Sequence, residues 1–258
     1  IDTSDSDNLP SGGGSHGSRT SHVGSVAAIN SSDEMVRKGT LIASEMLETA
    51  SVDVEYADGT FRVAGTDRTV TLFDVAKHAR TSTTIPEELQ GPLTGTDTHT
   101  IDSWSYPNGC HVCELEIEED TGVIHIVRYT AMDDVGRVIN PLLVAGQVHG
   151  GVAQGIGQAI MENTVYDPES GQMSSSSFMD YTMPRADDMP MIDLDTNEAP
   201  CLTNVLGVKG AGEAGALVAP PVLIAAITNA LQEFDVSHID MPATSERIWQ
   251  LMQKPKAA

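Results

Sequence analysis

The sequence predicts an α+β fold, because stretches with helical periodicity and stretches with strand alternation are both present along the chain. Several stretches place apolar residues three or four positions apart, as in amphipathic helices. Two others alternate apolar and polar residues on either side of a turn, as in antiparallel hairpins. With 258 residues, of which 40% are hydrophobic, the chain can bury a substantial core.

The first predicted elements are a helix, a hairpin and a second helix. Ser31 and Glu34 have capping-box spacing ahead of apolar residues at helical intervals, so the first helix is predicted to begin there and to end near Thr49. Alternation on both sides of Asp58-Gly59 predicts a tight hairpin. A short helix is predicted over residues 71–79, and the polar, proline-containing residues 80–105 predict a long connection.

The second half begins with another predicted hairpin, residues 111–118 and 123–131, and continues with a glycine-rich helix over residues 146–159. Such a helix is unfavourable in water unless something packs against its bare face. Two explanations stay open: close packing against a neighbouring helix, or a heterocyclic ligand to which Gln147 or Gln154 offers its amide. Further helices are predicted over 222–234, entered through Pro220-Pro221, and after a cap at Thr244 or Ser245.

The charge balance excludes some classes of partner. The 37 acidic and 14 basic residues give a formal charge of −23, which would repel nucleic acid and anionic membranes. The acidic residues are scattered, and we hypothesise adaptation to high salt. No apolar segment approaches the roughly 20 residues that span a bilayer. We expect no membrane insertion, a cytoplasmic location and, because the first residue is Ile1, a fragment or one part of a split subunit.

The three cysteines, Cys110, Cys113 and Cys201, are too few and too unevenly spaced for a disulfide framework. The first two have the spacing of a metal or redox pair. However, they precede residues that alternate like a strand, which would place them on opposite faces. A zinc site would also need two further ligands at suitable spacing. The sequence therefore favours a structural interpretation of this pair.

Two glycine-rich segments carry polar groups suited to binding a ligand. Residues 11–22 are either a flexible Gly/Ser linker or a set of hydroxyl and N–H donors for an anion, with Arg19 available for a phosphate. The second segment, residues 207–215, is called the glycine loop below. It holds the carboxylate of Glu213 among four glycines. It is either a turn that starts a helix or a device that presents an acid or base to a cofactor.

Taken in order, these segments resemble the C-terminal half of the large subunit of molybdenum hydroxylases, the family of xanthine oxidase, aldehyde oxidase and aerobic carbon monoxide dehydrogenase. The matching pieces cover almost the whole chain and lie at residues 17–19, 107–111, 133–141, 146–158, 178–186, 207–215 and 239–244. The resemblance implies an α+β molybdenum-cofactor-binding domain that occupies residues 1–258.

The resemblance also implies roles for individual residues. Glu213 falls on the catalytic base beside the molybdenum. The residues that fall on cofactor-binding segments are Ser15, His16, Gly17, Ser18, Arg19, Gln154, Lys209 and Gly210. No side chain is expected to ligate the metal directly. The expected cofactor is molybdenum-molybdopterin cytosine dinucleotide, whose phosphates give Arg19 a partner. At His16 the chain departs from the aromatic residue that carbon monoxide dehydrogenases often carry, which leaves the substrate open.

The implied activity is oxidation of an aldehyde, an N-heterocycle or carbon monoxide with water-derived oxygen. The family's large subunit has a preceding half that supplies the substrate-pocket loop, and it works with a 2Fe-2S subunit and an FAD subunit. These are the expected partners, and the chain alone is expected to be inactive. Two alternatives stay open: a non-catalytic scaffold with a degenerate cofactor site, and a nucleotide-phosphate binding module that uses Ser15 to Arg19.

Overall fold

The computed structural model describes residue 7 and residues 12–100 and 103–253. Contacts group the chain into two compact units, a smaller one formed by Thr20–Asp102 and a larger one formed by Ile1–Arg19 together with Ser103–Ala258. Both contain helices and strands, so the α+β class is confirmed. The assignment of residues 1–258 to one domain stays a prediction. Within the described residues, no helix is both long enough and apolar enough to cross a membrane.

The smaller unit contains helix α1 (Ser25–Met46), strands β1 (Val54–Ala57), β2 (Thr60–Val63) and β3 (Thr69–Thr71), and helix α2 (Leu72–Thr81). The strands form an antiparallel sheet in the order β1-β2-β3. The predicted turn is confirmed, since Asp58 and Gly59 both have positive φ angles, 48° and 73°, as a two-residue hairpin turn requires. The core residues are Ile42, Ala43, Leu47, Phe61, Val63, Val75, Ala79 and Ile85.

Helix α1 begins six residues earlier than predicted, at Ser25, so Ser31 is an internal helical residue and the prediction of a cap there was wrong. The apolar pattern continues upstream through the buried Val26. Glu34 instead accepts hydrogen bonds from the Arg37 guanidinium, at 2.7 Å and 2.9 Å. A pair three residues apart on a helix surface satisfies the glutamate as well as a cap would.

The larger unit contains strands β4 (Asn108–Ile117), β5 (Ile124–Asp134) and β6 (Ile192–Thr196) and helices α3 (Pro141–Ile156), α4 (Ala214–Ala230) and α5 (Ser245–Met252). The sheet order is β4-β5-β6, in which β4 and β5 pair antiparallel and β5 and β6 pair parallel. The predicted second hairpin is confirmed, as is the cap of α5, where Thr244 Oγ1 accepts from Arg247 N. Strand β6 was not predicted.

Strand β5 contains one extra residue relative to β4. Glu114 is opposite Arg128, whereas Leu115 is opposite Ile126, so Val127 has no partner in the ladder. Such a bulge shifts the alternation of side chains by one residue. Before the bulge, the even-numbered residues Ile124 and Ile126 face the core. After the bulge, the buried residues are the odd-numbered ones, Tyr129, Ala131 and Asp133.

Helix α4 begins eight residues before the predicted start, at Ala214, and Pro220 and Pro221 lie inside it. The prediction that the prolines form the entrance was therefore wrong. A proline removes one backbone hydrogen bond from a helix interior. The helix continues through them because this stretch is packed against α3, with Ala219, Pro220 and Leu223 buried.

Helices α3 and α4 meet through glycines. A Cβ on Gly151 would lie 2.8 Å from Ala216 N, and one on Gly155 would lie 2.7 Å from the Ala219 Cβ. On the other helix, a Cβ on Gly215 would lie 2.6 Å from Val148 O. Real Cβ atoms cannot approach so closely, so each of these positions requires glycine. The packing explanation for the glycine-rich helix therefore holds for Gly151 and Gly155.

Candidate functional site

The segment of residues 12–19 lies directly against the glycine loop. Gly17 N donates to Glu213 Oε2 at 3.0 Å. Ser18 Oγ accepts from Ala211 N at 3.1 Å and from Gly212 N at 3.4 Å. Two segments that are almost 200 residues apart are thus joined through backbone amides, a hydroxyl and the carboxylate predicted to be the base. Gly17 and Ser18 make specific hydrogen bonds to the glycine loop, so the flexible-linker interpretation does not hold for these two residues.

The backbone at this junction is strained. Gly17 and Ser18 both adopt left-handed conformations, with φ angles of 56° and 54°. A left-handed conformation is easy for glycine but unfavourable for serine. The two bonds that Ser18 Oγ accepts from the loop offset this strain. The turn is also held by Arg19 N, which donates to His16 O at 3.1 Å.

The first part of the glycine loop is fixed to the end of β5 by a partly buried ion pair. The Lys209 ammonium donates to Asp134 Oδ2, and both side chains are only 13% exposed. Asp134 Oδ1 also accepts from Gly136 N at 2.8 Å and from Ala199 N at 3.1 Å. Burial opposes ionisation of Asp134, but the bonds from Lys209, Gly136 and Ala199 outweigh it and hold the pKa of the carboxyl below its usual value.

Backbone bonds reinforce this attachment. Lys209 N donates to Val135 O, and Arg137 N donates to Gly207 O, both at 2.8 Å. The Asn204 side chain adds two more bonds, since its amide nitrogen donates to Val208 O at 2.9 Å and its oxygen accepts from Val208 N at 3.1 Å. The start of the loop is therefore a short ladder with the residues after β5, and only from Gly210 onward does it face the segment of residues 12–19.

The end of the loop is fixed by the contact between α3 and α4. Glu213 is the residue immediately before α4, and its carbonyl accepts from Leu217 N at 3.1 Å. Two residues later, Gly215 lies against the backbone of α3. Because a glycine contact admits no side chain between the helices, the first turn of α4 and hence the Cα of Glu213 have little freedom to shift. The Glu213 side chain is exposed.

The structure brings most of the predicted site residues together. Gly17, Ser18, Gly210 and Glu213 meet at the junction; a Cβ on Gly210 would lie 3.0 Å from Gly17 O. Ser15 and His16 are exposed beside them in sequence. Arg19 belongs to the same turn, where its guanidinium donates to Gly14 O.

Gln154 and Lys209 are placed differently from the other predicted residues. Gln154 lies on the exposed side of α3, and in the described part of the chain no hydrogen bond joins it to the glycine loop. The α3 glutamine that approaches the loop is Gln147, whose Oε1 would be 3.5 Å from a Cβ on Gly212. Lys209 is engaged by Asp134 inside the fold.

Sequence reasoning missed Asp134 and Asn204 as anchors of the loop. The turn-forming residues after Asp133 indicate a loop there, but they do not identify its partner. Asp134 and Lys209 are 75 residues apart, and no local pattern links positions at that distance.

The donor set at the junction suits a polar, anionic ligand with a flat ring system. It consists of backbone N–H groups, the hydroxyls of Ser15 and Ser18 and the exposed His16, with the carboxylate of Glu213 beside them. On α3, Gly146 and Gly150 present a bare face, where an added Cβ would have no heavy atom within 4 Å. These features fit a pterin with phosphate groups.

Metal-ligating side chains are not clustered in the part of the chain that the structure describes, where no group of three or more His, Cys, Asp or Glu residues could hold a metal ion. Cys110 and Cys113 lie on opposite faces of β4, as predicted, and both are free thiols. Burial, with a smaller effect of the charge on Glu114, raises the pKa of Cys113 to about 11, which disfavours the thiolate form that metals require.

Comparison with known proteins identifies relatives along the whole chain. Residues 1–190 match the family model described as the molybdopterin cofactor-binding domain. The chain is 36% identical over 252 residues to the 6-hydroxypseudooxynicotine dehydrogenase complex subunit gamma of Paenarthrobacter nicotinovorans, covering 97% of this chain and 31% of that protein. It is 30% identical to the carbon monoxide dehydrogenase large chain of Hydrogenophaga pseudoflava, over 100% of this chain and 32% of that one.

Solved structures show the same likeness. A crystal structure of Cu,Mo-CO dehydrogenase in the carbon monoxide reduced state aligns with a TM-score of 0.82 and 30% identity, over 95% of this chain and 31% of that chain. Quinoline 2-oxidoreductase from Pseudomonas putida 86 aligns with a TM-score of 0.79 and 31% identity, over 93% of this chain and 31% of that chain. The chain spans about a third of the length of these relatives. It belongs to the molybdopterin cofactor-binding domain family and is a molybdopterin-binding portion of a xanthine oxidase family large subunit.

Proposed function

We propose that this chain is the part of a molybdenum hydroxylase that supplies the general base, Glu213, and one side of the cofactor site. The whole enzyme would oxidise an aldehyde, an N-heterocycle or carbon monoxide with oxygen derived from water. The observation that carries the proposal is the junction of Glu213 with Gly17, at 3.0 Å, between two segments rich in N–H and hydroxyl groups.

The residues at this junction fit the requirements of the cofactor. Ser15, His16 and the N–H groups of the same segment would bind it, and Gly210 would let it approach the loop backbone. Gln154, on the same face of α3 as the loop-facing Gln147, would contact it from that helix. The cytosine dinucleotide form, whose phosphates would lie near Arg19, is part of the proposal. When bound, the molybdenum centre accepts the electrons of the oxidation and provides Lewis acidity.

Glu213 is suited to taking a proton because its position is fixed while its carboxylate is exposed. The hydrogen bond from Gly17 uses Oε2, so Oε1 is the atom to which the proton would be transferred. Glu213 also precedes the first turn of α4, whose N–H groups favour a negative charge. A carboxylate held in this way can accept a proton without being reoriented during the reaction.

The partners of the chain are proposed from the relatives. The chain covers about a third of each relative, and one of these is a subunit of a dehydrogenase complex. We propose that the remaining part of the large subunit supplies the substrate pocket, and that a 2Fe-2S subunit and an FAD subunit carry the electrons away. The chain by itself would then be inactive.

The proposed base is tested by Glu213→Gln in the assembled enzyme. Glutamine keeps an oxygen that can accept from Gly17 N but cannot take a proton at neutral pH. We expect unchanged molybdenum and pterin content and a decrease in kcat of about 10²- to 10⁴-fold. Glu169→Gln, in an exposed turn of the same unit, is the matched control and should leave kcat unchanged. Normal turnover of Glu213→Gln would remove the residue from this role.

The same preparation separates the proposal from the two alternatives. A non-catalytic scaffold would contain no molybdenum and show no turnover with any of the three substrate classes. A nucleotide-phosphate binding module would bind a cytidine nucleotide without molybdenum, and binding would be lost on mutation of Ser15 and Ser18 but not of Glu213.

A further inference from the structure

The interior of the larger unit contains a polar network that the proposed mechanism does not use. His111 on β4 lies between two residues of β5, with Nδ1 2.9 Å from the Tyr129 hydroxyl and Nε2 3.2 Å from Asp133 Oδ1. The side chains of His111 and Asp133 are 0% and 2% exposed, and Tyr129 is fully buried. Polar groups this deeply buried destabilise a fold unless their hydrogen bonds are satisfied.

One tautomer of His111, with the proton on Nε2, gives each of the three groups a partner. In that tautomer the Tyr129 hydroxyl donates to Nδ1, and Nε2–H donates to the Asp133 carboxyl group. Burial, followed by the nearby Cys113 and Asp133, raises the pKa of Tyr129, so the phenol keeps its proton and remains a donor. The Tyr129 hydroxyl thus orients the His111 ring, and the ring orients the Asp133 carboxyl group.

Gly109 makes room for this arrangement. It is opposite Asp133 in the β4–β5 ladder, and a Cβ there would lie 2.2 Å from Asp133 Oδ1 and 2.9 Å from Met132 O. Any other residue would push the carboxyl away from His111. The space at Gly109 and the donor at His111 together restrict the Asp133 side chain to one orientation.

Asp133 is adjacent to the residue that anchors the glycine loop. Successive side chains of a strand point to opposite faces, so Asp133 extends into the core while Asp134 extends to the other side, toward Lys209. The next carbonyl, that of Val135, accepts from Lys209 N. At the end of β5, Asp133 therefore contacts His111 on one face of the strand, and Asp134 contacts Lys209 of the glycine loop on the other face.

We propose that His111, Tyr129 and Asp133 are positioning residues for the glycine loop. By fixing the last residues of β5, the network fixes the direction of the Asp134 carboxylate and the Val135 carbonyl, and through them the ladder from Gly207 to Lys209 that leads to Glu213. The catalytic consequence rests on the proposed function of Glu213, whereas the order of the loop does not.

Hydrogen exchange tests the order of the loop directly, in the full-length protein without cofactor. The variant is Asp133→Asn, which leaves the shape of the side chain but turns one acceptor into a donor without a matching group. We expect the amides of Lys209 and Arg137 to exchange about tenfold faster or more, while amides of α5 in the same unit keep their rates. Asp193→Asn, which removes an exposed carboxylate on the neighbouring β6, is the matched control and should change neither set.

Tyr129→Phe is a second variant that removes only the hydroxyl and keeps the ring in the core. It should raise exchange at the same two amides by a smaller factor. In the assembled enzyme both variants should lower kcat with little change in KM, because the loop that leads to the base would be less ordered, whereas the substrate pocket, proposed to lie in the remaining part of the large subunit, would be unchanged. If exchange increases uniformly over the larger unit, or does not increase at Lys209 and Arg137, the network only stabilises the core and the inference is overturned.

The two proposals fail in different ways. If Glu213 is not the base, Glu213→Gln will turn over normally, but exchange at Lys209 and Arg137 will still respond to Asp133→Asn. If the network does not position the loop, the exchange result will be negative whatever the effect of Glu213→Gln on turnover.

Discussion

Replacing Gly151 with alanine should destabilise the larger unit, whereas the same change at Gly150, one residue earlier in α3, should stabilise it. Both positions are inside the helix, where alanine is favoured over glycine by about 1 kcal/mol. A Cβ on Gly150 would meet no heavy atom within 4 Å, so the full gain is expected there.

At Gly151 a second effect opposes this gain. The new Cβ would lie 2.8 Å from Ala216 N and 3.1 Å from Gly215 Cα, both backbone atoms of α4 that cannot move out of the way alone. Forcing an extra carbon into such a contact costs about 1–3 kcal/mol. The free energy of unfolding should therefore fall by up to about 2 kcal/mol, and the two variants should differ by about 1–3 kcal/mol.

Urea denaturation of the cofactor-free protein measures this difference, because the two variants share the same propensity gain and differ only in the contact with α4. The midpoint for Gly150→Ala should lie above that of the parent, and the midpoint for Gly151→Ala should lie below that of Gly150→Ala, with similar m-values. Equal midpoints for the two variants would show that the helices can separate freely, and the claim that α3 fixes the start of α4 would be wrong.

Three further predictions concern other parts of the chain. Asp134→Asn should lower the free energy of unfolding by about 1–3 kcal/mol at pH 7, because it leaves the partly buried Lys209 ammonium without its charged partner. The folded state lowers the pKa of Asp134 from its usual 3.8, so the contribution of Asp134 to stability is present above that pH and is lost as the pH falls through the lowered value. The urea midpoints of parent and variant should therefore converge in acid. A difference that stays constant with pH would contradict this. Thr71→Ala should cost the smaller unit about 1 kcal/mol in urea denaturation, since Thr71 Oγ1 caps α2 by accepting from Asp74 N, while Thr83→Ala in an exposed connection should be neutral. With a formal charge of −23, thermal stability should rise between low and molar KCl, and full stability in dilute buffer would count against adaptation to high salt.

The elements that were predictable from the sequence are those whose signals are local. The turn at Asp58-Gly59 and the cap of α5 depend on the chemistry of a few neighbouring residues. The turn lies where the sequence places it, and the cap is Thr244, one of the two residues that the sequence offered. The glycines of α3 were also recognised as requiring a partner. What the sequence left open was whether that partner is a helix or a ligand, and the structure assigns Gly151 and Gly155 to the helix while Gly150 remains uncovered.

The predictions that were wrong concern places where tertiary packing overrides local preference. Pro220 and Pro221 normally end or begin a helix, but burial against α3 keeps them inside α4. Ser31 has a capping residue's chemistry, yet the buried Val26 extends α1 beyond it. Strand β6 is only five residues long, and its pairing with β5 connects residues more than sixty positions apart.

The candidate site was predictable in its parts but not in its assembly. The family resemblance implies roles for Ser18 and Glu213, which stay predictions; the structure shows that both residues lie at the junction of residues 12–19 with the glycine loop. The choice between Gln147 and Gln154 could not be made from spacing, because residues seven apart share one face of a helix. The attachment of Lys209 to Asp134 depends on two loops meeting in space, which no pattern in either loop records.

The unpaired Val127 shifts by one residue which side chains of β5 face the core. Counted without interruption from Ile126, regular alternation would turn Tyr129 and Asp133 toward solvent and Asp134 toward the core. The orientation of both aspartates is thus decided several residues upstream of them. A homologous chain one residue shorter here could keep the same residues of β4 and β5 opposite each other in an uninterrupted ladder. A chain one residue longer would need a second bulge to keep those pairs.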